Sequence, residues 1–414
     1  MNLDRARFIE SMQAQAAIGG TDNGGLHRLA LSSADGAVRE WFHERMINAG
    51  LDVRVDAFGN MFGRRNGTDP DAAPILVGSH LDSQPYGGIY DGALGVVAAL
   101  ELIETLNDEG IETVHPIEIV NWTNEEGSRF QPTLQGSGVW AGAHDLETQY
   151  ESTDADGNRL VDELEAIGFK GDAPVGPQEP YEAYLELHVE QGPSLDTNDI
   201  DVGIVTGIVG LVWGAATFYG SANHSGATPM QHRHDALVAA ADVITQVRRI
   251  PGAIGEKTVG TVGYVDVSPN SINVIPGEVT ITWGFRDPED ENVSAAKERV
   301  LREIEMAAER EGIKYETEIR SKADSVAFDT RCIDAIRNAA DGLGYESMEV
   351  FSGGVHDATH LTSICDTGMV FAVSEDGKSH PEEAYTSWDD CYNAANTLAN
   401  AALEIATRID SRTG

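Results

Sequence analysis

The sequence predicts an α/β fold in which a discontinuous first domain is interrupted by a smaller α+β insert. Three observations carry this. Helices and strands alternate over residues 1–208, with histidines and carboxylates standing where strands end. From about Gly210 to Lys322 the order becomes β-α-β-β-α-β, which fits a ferredoxin-like unit. From about Ser325 the first pattern resumes. The expected domains are residues 1–208 with 325–414, and residues 209–324.

In chain order, Val38 to Ala49 has helical spacing and Gly50 stops it. Pro74 to Gly78 is a short buried strand, and Ala93 to Leu106 an apolar helix directly after Asp91-Gly92. Pro116 to Trp122 and Tyr184 to Val189 are further strands. In the insert, Leu211 to Tyr219, Thr258 to Val267, Glu278 to Arg286 and Tyr315 to Ile319 read as strands. Asp235 to Arg249 and Asn292 to Glu311 read as its helices. A helix from Arg331 to Leu343, a Gly-rich turn at Ser352-Gly353-Gly354, a strand Met369 to Val373 and a helix Asp389 to Thr407 complete the chain.

Length and composition bound the function. A chain of 414 residues exceeds one ordinary core, and 41% hydrophobic residues suffice for a globular fold. The 68 acidic residues against 28 basic ones give a net charge of −40, which disfavours nucleic acid and anionic membranes as partners. Such self-repulsion calls for salt screening, and lysine is scarce beside arginine; the composition reads as halophilic, of haloarchaeal type. Cys332, Cys365 and Cys391 are widely spaced and form no disulfide framework or zinc ribbon. Met1 to Gly20 lacks the order of a signal peptide, and no apolar run approaches a membrane span. A soluble cytoplasmic protein is expected.

The chemistry concentrates at strand ends. His80 and Asp82 form an H-x-D unit after the first buried strand. On a strand, residues i and i+2 share a face, so one can bind metal while the other orients it. Asp91 follows a Gly-Gly turn and precedes a helix, where a carboxylate could bridge two cations. Glu125 and Glu126 are adjacent and point in different directions, so one could ligate and the other act as a base. His188 and His380 add imidazoles. Histidine and carboxylate without thiolate suit a pair of catalytic divalent cations: zinc, or manganese or cobalt.

The ordered set GSHLDSQPYGGIYDGALGV, TNEEGSRFQPTLQGSGVWAG, LELHVEQGP, NHSGATPM, NSINVIPG, FRD, GGVHDA and KSHPEEA spans nearly the whole chain. It resembles the dinuclear aminoacylase/carboxypeptidase-type metallohydrolases, and within them the amidase/hydantoinase/carbamoylase branch. That branch includes N-carbamoyl-L-amino acid hydrolases, allantoate amidohydrolases and β-ureidopropionases. The resemblance implies a metallopeptidase-like catalytic domain whose insert serves as lid and dimerisation domain. It implies that His80, Asp91 and His188 hold one metal and that Asp91, Glu126 and His380 hold the other. Glu125 would be the general base and Asp82 the carboxylate behind His80. Histidine rather than carboxylate at position 188 favours the amidase branch over the peptidases.

The same resemblance implies that His224 stabilises the transition state from the partner subunit of a homodimer. Asn273 and Arg286 would hold the α-carboxylate of a small ureido or carbamoyl acid, helped by N–H groups near Gly353 and Gly354. Gln191 would neighbour the ureido group. An alternative for Arg286 is a surface pair with Asp287. The family's Ser-Gly-Ala-Gly-His-Asp-Ala run reads Ser352-Gly353-Gly354-Val355-His356-Asp357-Ala358 here, so Val355 replaces a glycine at the substrate clamp.

Overall fold

A computed structural model describes residues 1–408; the expected first domain's last residues, 409–414, lie outside the described residues. The chain forms two compact units, Met1–Thr206 with Phe328–Gly414, and Gly207–Ala327.

The first unit is built on a mixed sheet. Its strands run in the order Asp52–Val55, Met61–Arg65, Ile117–Trp122, Ile75–His80, Ala183–Val189, Asp366–Ala372 and Val202–Ile208, and Ser347–Ser352 also pairs with the last. Ile75–His80 is parallel to both of its neighbours, and Ala183–Val189 is parallel to Asp366–Ala372. These central strands are buried along their length, which explains their continuous apolar runs. The helix Ala93–Asp108 packs on the strands Ile75–His80 and Ala183–Val189 and also meets the helices Arg5–Ala17 and Trp388–Thr407. It is therefore apolar nearly all round.

The helix expected from Val38 begins earlier, at Ser33, and ends at Asn48. Its start is a capping signal. Ser32 Oγ accepts from Asp35 N–H, and Asp35 Oδ2 accepts from Leu31 N–H. Asp35 also receives Arg39 Nε at 2.9 Å, deep in the interior. Arg39 then donates to Gly59 O and to Thr123 Oγ1, at the strand end that leads into Glu125. A capping carboxylate thus anchors the arginine that fixes one side of the site.

The second unit has the strand order Lys314–Ala323, Gly210–Tyr219, Glu278–Asp287, Val265–Ser268, all antiparallel, which is the ferredoxin-like order. The helices Ala236–Arg249 and Asp290–Glu311 bury Val243, Val247, Val300 and Ile304 with Phe218, Ile281 and Phe285 of the sheet. The expected strand Thr258–Val267 is two short ones, Val259–Thr261 and Val265–Ser268, which pair with different stretches of Glu278–Asp287. The break contains Gly263, which has no side chain to pack in a strand. No helix among the described residues is long and apolar enough to cross a membrane.

Candidate active site

Three segments of the first unit converge on one buried cluster. The strand Ile75–His80 ends on His80, the strand Ala183–Val189 carries His188, and Asp91 stands just before the helix Ala93–Asp108. Ligand atoms of His80, Asp91 and His188 all lie within 4.8 Å of one another. Both rings are oriented from behind. His80 Nδ1 lies 2.9 Å from the carbonyl oxygen of Asp82, and His188 Nδ1 lies 3.2 Å from that of Val189. A carbonyl only accepts, so each ring carries a proton on Nδ1 and turns Nε2 into the cluster.

Those Nε2 atoms indicate that the donors suit a cation. Both are buried and neither makes a hydrogen bond. His188 Nε2 nonetheless stands 2.9 Å from Asp91 Oδ1, close but not aligned as donor and acceptor. Buried atoms left in this way are costly unless something else satisfies them. Two imidazoles and a carboxylate oxygen aimed at one point are what a divalent ion takes.

Asp91 faces both ways. Its Oδ1 meets His188, while Oδ2 lies 3.8 Å from His380 Nε2 and accepts from Gln191 Nε2 at 3.1 Å. His380 is 54% exposed at its side chain and lies outside the tight three-residue group, as does Glu126. Glu126 is held instead by Gln84, whose N–H donates to Oε1 at 3.1 Å and whose Nε2 donates to Oε2 at 2.6 Å. His80, Asp91 and His188 are thus gathered; His380 stands on an exposed segment, and Glu126 is buried in the hold of Gln84.

Glu125 is buried with its Oε2 3.5 Å from His80 Nε2. Burial, reinforced by the negative fields of Asp357, Glu126, Asp91 and Asp82, pushes its carboxyl well above the usual range. Burial also lifts Glu126, with Asp91 and Asp82 adding to it. Burial opposes ionisation of Asp91, but His188, then His80 and His380, hold its carboxyl below the usual range. Burial pushes His80 down to about 4, so its ring is neutral and free to ligate near neutral pH.

Asp82 stands behind His80. Its carboxylate is 3.7 Å from His80 Nδ1, farther than the 2.9 Å of its own carbonyl. Its Oδ1 accepts from the N–H of Glu125 at 3.2 Å and its Oδ2 from that of Glu126 at 3.3 Å. Asp82 therefore orients the imidazole through its backbone and the glutamate pair through its side chain. The strand stops at His80, so the rule that i and i+2 share a face does not reach Asp82.

Gln191, in positive φ, is fixed by Ser374 Oγ and sits against Asp91. A Cβ at Gly354 would lie 2.8 Å from Gln191 Oε1, whereas Gly353 faces open space. Val355 keeps a negative φ, so it replaces the family glycine without backbone strain.

Several site residues escaped the sequence reading. His356 is buried with its ring centroid 4.3 Å from that of His188, and Ser352 Oγ meets its Nε2 at 2.8 Å. Glu186 is buried two residues before His188 and accepts from Ser79 Oγ and Ala358 N–H. Asp357 accepts from Ser137 Oγ. The available signal was a histidine and an aspartate one residue after a Gly-Gly turn; their burial was not legible.

Gly92 has φ +63, and a Cβ there would fall 2.3 Å from the His80 ring. Gly92→Ala should therefore displace His80 and cost more than about 1 kcal/mol of stability. Thermal unfolding and metal content should both drop; a variant normal in both would remove this constraint.

The remaining expected residues lie in the second unit. His224 is exposed on the two-residue strand Asn223–His224, which pairs with Val274–Ile275. Its Nδ1 accepts from the N–H groups of Gly226 and Ala227 at 3.0 and 3.2 Å, which leaves the proton on Nε2. Asn273 is exposed, accepts from Ser271 Oγ, and its carbonyl receives Ser225 N–H. Arg286 is half-buried, with its guanidinium over the Trp213 ring at 5.8 Å. The Asp287 carboxylate receives Thr258 Oγ1, Glu289 N–H and Asn292 Nδ2.

An N-carbamoyl-L-amino-acid amidohydrolase of Rhizobium meliloti is 40% identical over 404 residues, covering 98% of this chain and 97% of its own. One from Geobacillus stearothermophilus is 37% identical over 403 residues, covering 97% and 98%. The solved structure of an amidase of the hydantoinase/carbamoylase family from Burkholderia multivorans is 42% identical, with a TM-score of 0.95 over 99% of each chain. Residues 76–404 match the description Peptidase family M20/M25/M40, and the chain belongs to that family.

Proposed function

We propose that this chain is a metal-dependent amidohydrolase that cleaves the carbamoyl C–N bond of N-carbamoyl-L-amino acids. The observation that carries the reading is the pair of buried, unbonded Nε2 atoms of His80 and His188 converging on Asp91, in a chain so similar to carbamoyl amidohydrolases. His80, Asp91 and His188 would hold one divalent cation, and Asp91, Glu126 and His380 would hold a second. Zinc, manganese or cobalt there acidifies water and polarises the carbamoyl oxygen.

The chain's own residues do the rest. Glu125, its proton affinity raised by burial, takes a proton from the attacking water and passes it to the leaving nitrogen. Water adds to the carbamoyl carbon and one C–N bond breaks; the carbamic acid so formed then loses carbon dioxide as its remaining C–N bond breaks, which leaves the amino acid, carbon dioxide and ammonia. Asp82 holds the backbone of the glutamate pair still meanwhile. Arg286 and Asn273 receive the substrate carboxylate, with N–H groups near Gly353 and Gly354, and Gln191 flanks the ureido group. His224 presents Nε2–H to the developing oxyanion, offered by the second copy of a homodimer. The open edge Val265–Ser268, with Tyr264 and Val265 exposed, suits that pairing; the opposite edge, Lys314–Ala323, is studded with Lys and Glu.

Ammonia release from N-carbamoyl-L-amino acids, their D-enantiomers, allantoate and β-ureidopropionate tests the reading. Turnover of the L-carbamoyl acids should dominate, vanish with a chelator and return with zinc, manganese or cobalt. Preference for allantoate, or undiminished turnover by metal-free protein, would refute it.

A further inference from the structure

His80 and His188 are fixed on buried strands, whereas His380 sits on a loop, with φ +73 and an exposed ring. Something else must hold it near Asp91. The segment after the first helix is placed to do so. Thr21 and Gly25 close a tight turn: Thr21 N–H donates to Gly25 O at 2.9 Å, and Gly25 N–H donates to Thr21 Oγ1 at 3.1 Å. Directly after it, Leu26 and Gly87 exchange both backbone hydrogen bonds, at 2.8 and 2.9 Å. Gly87 lies on the turn that leads to Asp91.

The other side of the same turn grips Glu382, just beyond His380. Thr21 Oγ1 donates to Glu382 Oε1 at 2.5 Å, and Asn23 Nδ2 donates to Oε2 at 2.9 Å. A Cβ at Gly25 would lie 2.6 Å from Gly87 O and 2.8 Å from Glu382 Cγ, so the three segments meet only because residue 25 is glycine. One turn therefore clamps the loop before Asp91 and the loop that carries His380. Both carboxylate oxygens of Glu382 are engaged by this turn.

We propose that Glu382, gripped by Thr21 and Asn23, is a positioning residue that sets His380 against Asp91 and so governs occupancy of the second cation site. The proposal rests on His380 being a ligand. A ligand on a free loop loses conformational freedom when it binds, and a tether made beforehand removes much of that loss.

Metal stoichiometry and affinity, by native mass spectrometry and competitive titration with zinc, test this. Wild type should hold two ions. Glu382→Ala should keep the tighter ion and bind the other about 10–100-fold more weakly. A Thr21→Val/Asn23→Ala variant, altered on the other side of the grip, should do the same and carries the test if Glu382→Ala does not fold. Adding Glu382→Ala to that variant should weaken binding no further, as expected of partners in one contact. In metal-free protein, amide exchange over residues 378–386 should quicken in each variant while that over residues 75–80 stays unchanged. Wild type holding fewer than two ions would instead defeat the two-cation reading itself. Two ions in wild type and unchanged affinity for both in the variants would overturn the role of Glu382 alone.

Discussion

Replacing Glu125 by glutamine should lower kcat by about 10²–10⁴ while leaving metal content near that of wild type. Glutamine keeps the size of the side chain and cannot take the proton of the attacking water. The backbone should not move, because the N–H of residue 125 still donates to Asp82 Oδ1. The substitution also removes a buried carboxyl that burial and four neighbouring carboxylates keep from ionising easily, so the folded chain should be no less stable. Glu126→Gln should behave differently. Its side chain is grasped by Gln84 and is proposed to serve the second cation, so the loss should fall on metal binding first. Metal analysis beside steady-state kinetics separates the two. Metal lost from Glu125→Gln and retained by Glu126→Gln would exchange the roles of base and ligand.

What the sequence conveys about this site follows from which physical signals are local. His80 was legible because a short apolar run ends on it, and such a strand end in an α/β sheet is where ligands bind. Asp91-Gly92 was legible as a turn feeding an apolar helix, and the His80 ring packed over Gly92 shows why no side chain is tolerated there. Asp82 was legible as a carboxylate near His80, but its hold on the glutamate pair was not, because those two hydrogen bonds span 43 and 44 residues. Glu186, His356 and Asp357 were not found because their significance is burial, and in a chain of −40 charge one more acidic residue carries no local mark. Gln84 was invisible for a related reason: its two hydrogen bonds to Glu126 span 42 residues. The insert's strand order followed from local alternation, yet the Gly263 break split one expected strand into two.

Mixing His224→Ala subunits with Glu125→Gln subunits, each inactive alone, should restore about a quarter of wild-type activity per site after random exchange in a two-fold dimer. The number follows from geometry. Equal mixing gives mixed dimers half of the time, and each holds one site with both residues intact and one with neither. The intact site pairs Glu125 of the His224→Ala subunit with His224 from the other. Three features of the second unit favour this arrangement. His224 is exposed on a two-residue strand, its ring is fixed by two backbone N–H groups, and its remaining proton is turned outward. A donor held in that tautomer costs no reorganisation when charge develops on the carbamoyl oxygen. Exchange can be promoted by lowering salt, since repulsion within a −40 chain then reaches farther and loosens the pair. Mixed dimers should be verified by native mass spectrometry before assay. A verified mixed dimer without turnover would place His224 within its own chain's site, or outside the reaction altogether.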